Sequence, residues 1–183
     1  MANQDTPHGL TFAYTLHGGP PTVQYMPCGS CTEIFRGDIA ITTTTGVMPK
    51  TTGSDWDPVG ATAEVVGVSN GYSPSGSQTN IPIYTDLRNT VFKVQVSTTT
   101  VTFKSSDEFQ IYDTTWSAGS TATGMSAAEM NGTTGTGRFG LRKIGYVNDP
   151  NFSTSGGWQE VYVTLAVPGM GMYSAYAATS DAG

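Results

Sequence analysis

The fold class is decided by residues 81–104, IPIYTDLRNTVFKVQVSTTTVTFK. Apolar and polar residues alternate in FKVQV, residues 92–96, which is the two-residue period of a half-buried β-strand. The apolar positions then change parity at Val101 and Phe103, so a turn or bulge is expected near residues 97–100. A second alternating run, VYVTLAV, occupies residues 161–167. The sequence therefore predicts a chain that is mostly sheet.

Turn-forming residues divide the rest of the chain into short segments. The predicted strands are residues 39–43, 61–68, 81–84, 91–97, 101–104, 109–112, 141–147 and 159–167. Strands of this length predict an all-β fold, either a small β-barrel or a sandwich. Ser126 and Glu129 match a helix capping box, and Asn131 with Gly132 would soon end that helix, so at most one or two short helices are expected.

The 183 residues are enough for one domain with a sizeable core, or for one domain that carries a long arm. Pro and Gly are so frequent in residues 1–27 that a long helix is excluded there, and the segment is too short to fold alone. We predict an extended N-terminal arm at residues 1–32, a β-rich body at 33–172 and a mobile C-terminal tail at 173–183. A frayed terminus is the alternative to an ordered arm.

Charge and hydropathy argue against nucleic acids and membranes as partners. The formal net charge is −6, and the only local group of basic residues is Arg138, Arg142 and Lys143. Nucleic-acid binding needs several clustered cations, so we expect no direct nucleic-acid binding. No apolar run approaches the roughly 20 residues of a bilayer span, and the first ten residues lack the features of a secretory signal. We expect no membrane association. We also expect that the chain is made in a cytoplasm.

The two cysteines stand as Cys28-Gly-Ser-Cys31. Such a pair can be two incidental or structural thiols, part of a metal site shared with His17 or another subunit, or a redox pair. Redox chemistry favours a helix start after a strand, whereas a Pro- and Gly-rich segment precedes this pair. Zinc needs two further ligands, and neither His8 nor His17 has zinc-finger spacing. We predict no metal and no cofactor, and the state of the thiols stays open.

Four short motifs match functional patterns without the context that their chemistry needs. GVSNG, residues 67–71, fits a hydrolase nucleophile elbow, but no helix is predicted after Ser69 and both histidines precede it. GTGRFG, residues 135–140, fits a dinucleotide motif, but a strand is predicted to follow. The cell-adhesion triplet RGD, residues 36–38, leads into a strand, and DWD, residues 55–57, lacks a third ligand for calcium. We predict no catalytic residues and no enzyme activity.

Several short signatures occur in an order that resembles the capsid decoration, or cement, proteins of tailed bacteriophages. These signatures are PHGL at 7–10, GD at 37–38, Tyr84 and Asp86 before VFKVQ at 91–95, LRKIG at 141–145 and the closing alternating strand. The resemblance spans most of the chain. It implies a β-rich body with an extended arm, present as copies that bridge neighbouring capsid subunits. His8 stands where an aromatic residue is expected in this family, and the paired cysteines are not a family feature.

The resemblance further implies a structural protein on the outer surface of the virion. Its partners would be the major capsid protein and other copies of the same chain, with a homotrimer favoured over a dimer. Because aromatic residues dominate interface energetics, we predict that Phe12, Tyr14 and Tyr25 of the arm contact the capsid or a sister subunit. Removing residues 1–27 would then abolish capsid binding and leave the body folded.

Two other functions remain open. A carbohydrate- or receptor-binding module of a phage particle would use loop aromatics that stack on sugar rings, although packing also explains such residues. The candidates are Trp56, Tyr72, Trp116 and Trp158. A different part of the particle, such as a head-completion or tail-tube subunit, is the third possibility, and it would form a larger ring.

Overall fold

The computed structural model describes residues 5–28, 33–43, 45–51, 64–77, 79–97, 107–134, 140–147 and 157–167. Its strands are β1 (Thr11–Thr15), β2 (Val23–Pro27), β3 (Ile39–Thr43), β4 (Gly46–Pro49), β5 (Val65–Ser69), β6 (Asn80–Tyr84), β7 (Thr90–Gln95), β8 (Ile111–Thr115), β9 (Glu129–Thr134), β10 (Gly140–Tyr146) and β11 (Glu160–Ala166). They form two antiparallel sheets that are not closed into a barrel. The predicted all-β class is confirmed, with the layout of a sandwich.

The strand order places β1 and β2 at sheet edges. The first sheet has the order β1-β7-β11-β10-β8-β9, and the second has β2-β6-β5-β3-β4. β1 and β2, which follow each other in sequence, therefore lie at the edge of different sheets. One bridge between Cys28 and Val47 also joins the end of β2 to β4.

The main core lies between the sheets, where the alternating runs place their apolar positions. Phe92 and Val94 of β7 and Val163 of β11 are fully buried there, and they share one cluster with Ile39 and Tyr84 of the second sheet. Each such side chain contributes about 1.5–3 kcal/mol by leaving water. A smaller core covers the opposite face of the second sheet, built from Cys28, Ile34, Ala40, Val47, Ile81 and Ile83.

The predicted strands mostly agree with the observed ones. Residues 39–43 match β3, and the predictions at 81–84, 91–97, 141–147 and 159–167 fall within two residues of β6, β7, β10 and β11. β5 begins at Val65, and the first part of its predicted range, like the predicted strand at 101–104, lies outside the described residues.

One local prediction is wrong, and one strand is shifted along the chain. The helix expected after Ser126 is absent, because the Ser126 Oγ accepts the Ala128 amide only 3.0 Å away and Glu129 then enters β9 opposite Thr115. The strand expected at 109–112 begins two residues later, because Phe109 has a φ of 66° and sits in a turn. At Glu129, strand pairing overrides the local helix propensity.

The segment predicted as an arm does not leave the body along its described residues. β1 pairs with β7, and β2 pairs with β6. Leu10 is 2% exposed within the main core, and Phe12 packs against it. These contacts argue against the expectation that the body folds without residues 1–27, and a truncated chain would test it. The boundaries at 32 and 172 stay predictions, and the predicted tail at 173–183 lies outside the described residues.

Candidate interaction surface

Exposed apolar side chains are concentrated on the edge strands β1 and β2 and their connection. Among the described residues, seven large hydrophobic side chains are exposed, and four of them lie between positions 14 and 25. These are Tyr14, Leu16, Val23 and Tyr25, which together we call the edge surface. Tyr25 is the most exposed of the seven, at 72%. These four side chains lie close together in the sequence. Because unprotected apolar edge strands can bind partners, this segment is the candidate interaction surface.

The edge surface lies in a segment without charge. Residues 6–32 contain no Asp, Glu, Lys or Arg. Edge strands of monomeric proteins are commonly protected by charged side chains, and these two are not. Each strand has a feature that interrupts backbone pairing with a further strand: β1 has a bulge between Phe12 and Tyr14, and β2 ends at Pro27. The edge surface therefore favours a partner that contacts its side chains.

The pleat of β2 explains why Tyr25 is exposed. In the register of β2 and β6, Val23 lies opposite Tyr84, and Tyr25 lies opposite Pro82. Cross-strand neighbours share a face, so both residues lie on the side where Tyr84 enters the main core. Met26 points to the other side and packs on the smaller core. Because Tyr25 remains exposed, the first sheet leaves this inward-facing part of β2 uncovered.

The three predicted contact residues differ in their surroundings. Phe12 stacks on Tyr84 with the ring centroids 5.5 Å apart, and it packs against the core of its own chain. Tyr14 makes an edge contact with Tyr162 at 5.5 Å and is 42% exposed. Phe12 therefore offers a partner less surface than Tyr14 and Tyr25 do. That any of them contacts a partner stays a prediction.

A partly buried polar cluster joins residues 5–10 to the first sheet. We call residues 5–10 the strap. The His8 Nε2 lies 2.8 Å from the Glu160 Oε1, and the Lys93 Nζ lies 3.0 Å from the Glu160 Oε2. Burial alone would raise the pKa of Glu160, but the hydrogen bonds from His8 and Lys93 hold it below the ordinary value. Nothing in the sequence brings His8 and Glu160 together, so sequence reasoning missed this cluster.

Glu129 lies near the same cluster, but its pKa is shifted in the opposite direction to that of Glu160. Burial, aided by the charge of Asp5 and opposed by that of His8, raises the pKa of Glu129 to about 6. Its Oε1 accepts no hydrogen bond from the described residues. An ionised Glu129 is therefore poorly compensated in the folded chain.

Replacing Glu129 with Gln is expected to stabilise the protein above pH 6. The folded state binds more protons than the unfolded state between about pH 4.5 and 6, so Glu129 lowers the free energy of unfolding as the pH rises through this window. Allowing for solvent screening, we expect Glu129→Gln to gain about 1 kcal/mol at pH 7.5 and to lose that gain near pH 4.

Urea titrations at the two pH values measure this difference. The exposed Glu64 offers a control, because Glu64→Gln removes the same formal charge away from the cluster. A stability gain that is equal in the two variants, or that is independent of pH, would contradict the assignment.

The motifs rejected on sequence grounds have local structural roles. The Ser69 Oγ donates to the Gly71 carbonyl at 2.7 Å, as expected of a turn, and no helix follows. Asp38 of the RGD triplet is 1% exposed and accepts the Phe35 amide at 2.8 Å, so the triplet leads into β3 as predicted. Burial raises the pKa of Asp38. The strand β10 follows the GTGRFG motif, whose residues 135–139 lie outside the described ranges, as do residues 55–57.

The remaining predicted residues are only partly placed. Cys28 is buried in the smaller core and its amide donates to the Thr79 carbonyl, whereas Cys31 lies outside the described residues. The Tyr72 ring is 37% exposed and stacks on Phe35, and its hydroxyl donates to Glu33 at 2.7 Å. Trp116 is 36% exposed, and Trp158 has a φ of 51°.

Along the described ranges, no group of three or more His, Cys, Asp or Glu side chains could hold a metal ion. The same ranges contain no helix with the length and hydropathy of a membrane span. No protein family, curated protein or solved structure matches the chain.

Proposed function

We propose that this chain is a structural virion protein that decorates the outer surface of a tailed-phage capsid and cements neighbouring capsid subunits. The observation that carries the proposal is the edge surface, four exposed apolar side chains within an uncharged segment of 27 residues at positions 6–32. The order of short signatures that resembles the phage cement proteins supports it. The proposal includes no enzymatic reaction, no cofactor and no contact with nucleic acid.

The composition of the segment suits repeated contact with a shell. A cement protein binds at many equivalent sites, so a modest free energy for each contact is multiplied when one oligomer spans several subunits. Apolar contacts are also not weakened by electrostatic screening, unlike contacts between exposed charges. The net charge of −6 comes from residues outside the segment and keeps free copies soluble.

In this proposal the chain is made in the host cytoplasm and acts on the outside of the capsid. Its partners are the major capsid protein and other copies of the same chain, and a homotrimer is favoured over a dimer. Cement proteins lie on local two-fold or three-fold axes, whereas connector and tail-tube subunits form larger rings. An image of intact particles at modest resolution would separate these arrangements.

Replacing both edge tyrosines with Ser, in Tyr14→Ser/Tyr25→Ser, is expected to remove most capsid binding. An interfacial tyrosine of the strongest class contributes about 2 kcal/mol, so losing two predicts a fall in single-site affinity of roughly a thousandfold. Co-sedimentation with capsids assembled without this chain measures occupancy. Phe109 is 64% exposed away from the edge surface, so Phe109→Ser serves as the matched control. Unchanged occupancy of the double variant would refute the proposed contact.

A carbohydrate- or receptor-binding role is the second candidate, and Tyr72 is the observation that favours it. Its exposed ring is held in place by Phe35 beneath it and by Glu33 at its hydroxyl. Such a fixed ring with an adjacent carboxylate can stack on a sugar and accept hydrogen bonds from it. Binding on a glycan array that is lost in Tyr72→Ala, without any capsid association, would favour this function over the first.

A further inference from the structure

Val23 and Tyr25 of β2 lie beside β1, at a place where the second sheet extends beyond the first. Phe12 of β1 stacks on Tyr84 of β6, so β1 lies over β6. β2 is the next strand of the second sheet after β6, and Val23 lies opposite Tyr84 in that pair. Among the described strands, β1 is the last of the first sheet on this side. The inward-facing side chains of Val23 and Tyr25 are therefore left uncovered, and we call these two residues the ledge.

Tyr14 lies on a different side of the molecule from the ledge. Its ring contacts Tyr162 of β11, and Tyr162 pairs with Lys93 of β7. Because the adjacent Phe92 points into the main core, Lys93 and its neighbour Tyr162 lie on the outer side of the first sheet. The strap covers another part of that outer side. The edge surface therefore contains two separate contact areas, one around Tyr14 and one at the ledge, and two partners can occupy them at the same time.

The strands around the ledge carry no charge. β1, β2 and β6 contain no Asp, Glu, Lys or Arg, and neither do the other strands of the second sheet. All charged residues within strands belong to the rest of the first sheet: Lys93, Asp113, Glu129, Arg142, Lys143 and Glu160. Where identical chains meet near a symmetry axis, each residue faces its own counterpart, so any charge there is repelled by an equal one. In a chain with a net charge of −6, an uncharged apolar area is therefore suited to contact with a second copy.

We propose that copies of this chain meet at the ledge, with Tyr25 of one copy packed against Tyr25 of the next near a two-fold or three-fold axis. Tyr25 has the most surface to bury among the exposed apolar side chains, and paired aromatic rings attract each other beyond the area that they bury. Two side chains form a small interface, so we expect association in the micromolar range. The inference rests on the proposed function, which needs linked copies, and it leaves Tyr14 available to the capsid.

Sedimentation velocity of the free full-length chain, measured over a range of concentrations, tests the ledge without any capsid. The unmodified chain is expected to associate, and Tyr25→Ser should raise its dissociation constant by about thirtyfold or more, because a central interfacial tyrosine is lost. Tyr14→Ser is the matched control. It makes the same substitution at an exposed tyrosine on the outer side of the first sheet, and it should change the dissociation constant by less than about threefold.

Two charged variants test whether Tyr25 faces its own counterpart. Tyr25→Asp and Tyr25→Lys should each be monomeric alone, because equal charges then meet in every contact. An equimolar mixture of the two should associate, and it should do so more strongly at low salt than at high salt. Tyr25 is 72% exposed, so both variants are expected to fold, which circular dichroism verifies. If either does not fold, the comparison of Tyr25→Ser with Tyr14→Ser decides.

Any of four results would overturn this interface. The unmodified chain could remain monomeric up to about 1 mM, Tyr25→Ser could associate as the unmodified chain does, Tyr14→Ser could lose association equally, or the mixture of charged variants could stay monomeric. These outcomes are separate from those of the capsid assay. A chain that associates through Tyr25 without binding capsids refutes the proposed function and keeps this inference, and a chain that binds capsids as a monomer does the reverse.

Discussion

Removing residues 1–27 is expected to abolish cooperative folding of the chain. The deletion takes away the edge strands β1 and β2 and the buried Leu10, and it uncovers Tyr84 and Phe92 of the main core. The loss of several buried side chains, at about 2–5 kcal/mol each, approaches or exceeds the 5–15 kcal/mol that stabilise a typical domain. Circular dichroism and urea unfolding of the truncated chain measure the effect.

Two leucines of the same segment provide the control. Leu10 is 2% exposed and Leu16 is 50% exposed. Leu10→Ala should lower the free energy of unfolding by about 3 kcal/mol, and Leu16→Ala by less than about 0.5 kcal/mol. A truncated chain that unfolds cooperatively with the stability of the full chain would instead make residues 1–27 an independent arm.

Gly67→Ala is expected to be the most damaging single substitution considered for this protein. Gly67 lies in β5, where a Cβ atom would overlap the backbone carbonyl of Tyr84 and the side chain of Ile83. Because the backbone carbonyl cannot move aside without disturbing the pairing of β5 with β6, we expect a loss of about 3 kcal/mol or more. Thermal and urea unfolding measure it.

Gly145 is the matched control for that substitution. It also lies in a strand, β10, but a Cβ atom there would meet nothing within 4 Å. Gly145→Ala should therefore change stability by less than about 1 kcal/mol. Equal losses in the two variants would show that crowding at Gly67 is not the cause.

The strands found from sequence are those whose side chains obey the two-residue period. β7 and β11 are central in the first sheet, and their alternating residues supply most of the core that the pattern predicted. β1 and β2 were missed for two reasons. Pro and Gly surround them, and an edge strand, which pairs with only one neighbour, can form without a clear alternation of apolar and polar residues. Ser126 and Glu129 show the reverse error, in which a local helix signal yields to pairing with β8.

The interaction surface was only partly accessible to sequence reasoning. Aromatic residues in a Pro- and Gly-rich segment indicated Tyr14 and Tyr25, and both are exposed. The same signal also indicated Phe12, which packs against the core, because composition cannot tell which face of a strand is covered. The cluster around His8 could not be predicted from the sequence, since His8 and Glu160 lie 152 residues apart and meet only through the strand order.

The strand order also imposes a delay during synthesis. Thr11 pairs with Lys93, a separation of 82 residues, so β1 leaves the ribosome long before its partner exists. At about 5–20 residues per second the wait is roughly 4–16 s. During that time the uncharged, strand-forming segment at residues 11–27 can associate with other nascent chains. A chaperone that binds short apolar segments would therefore have a target at residues 11–27 during that time.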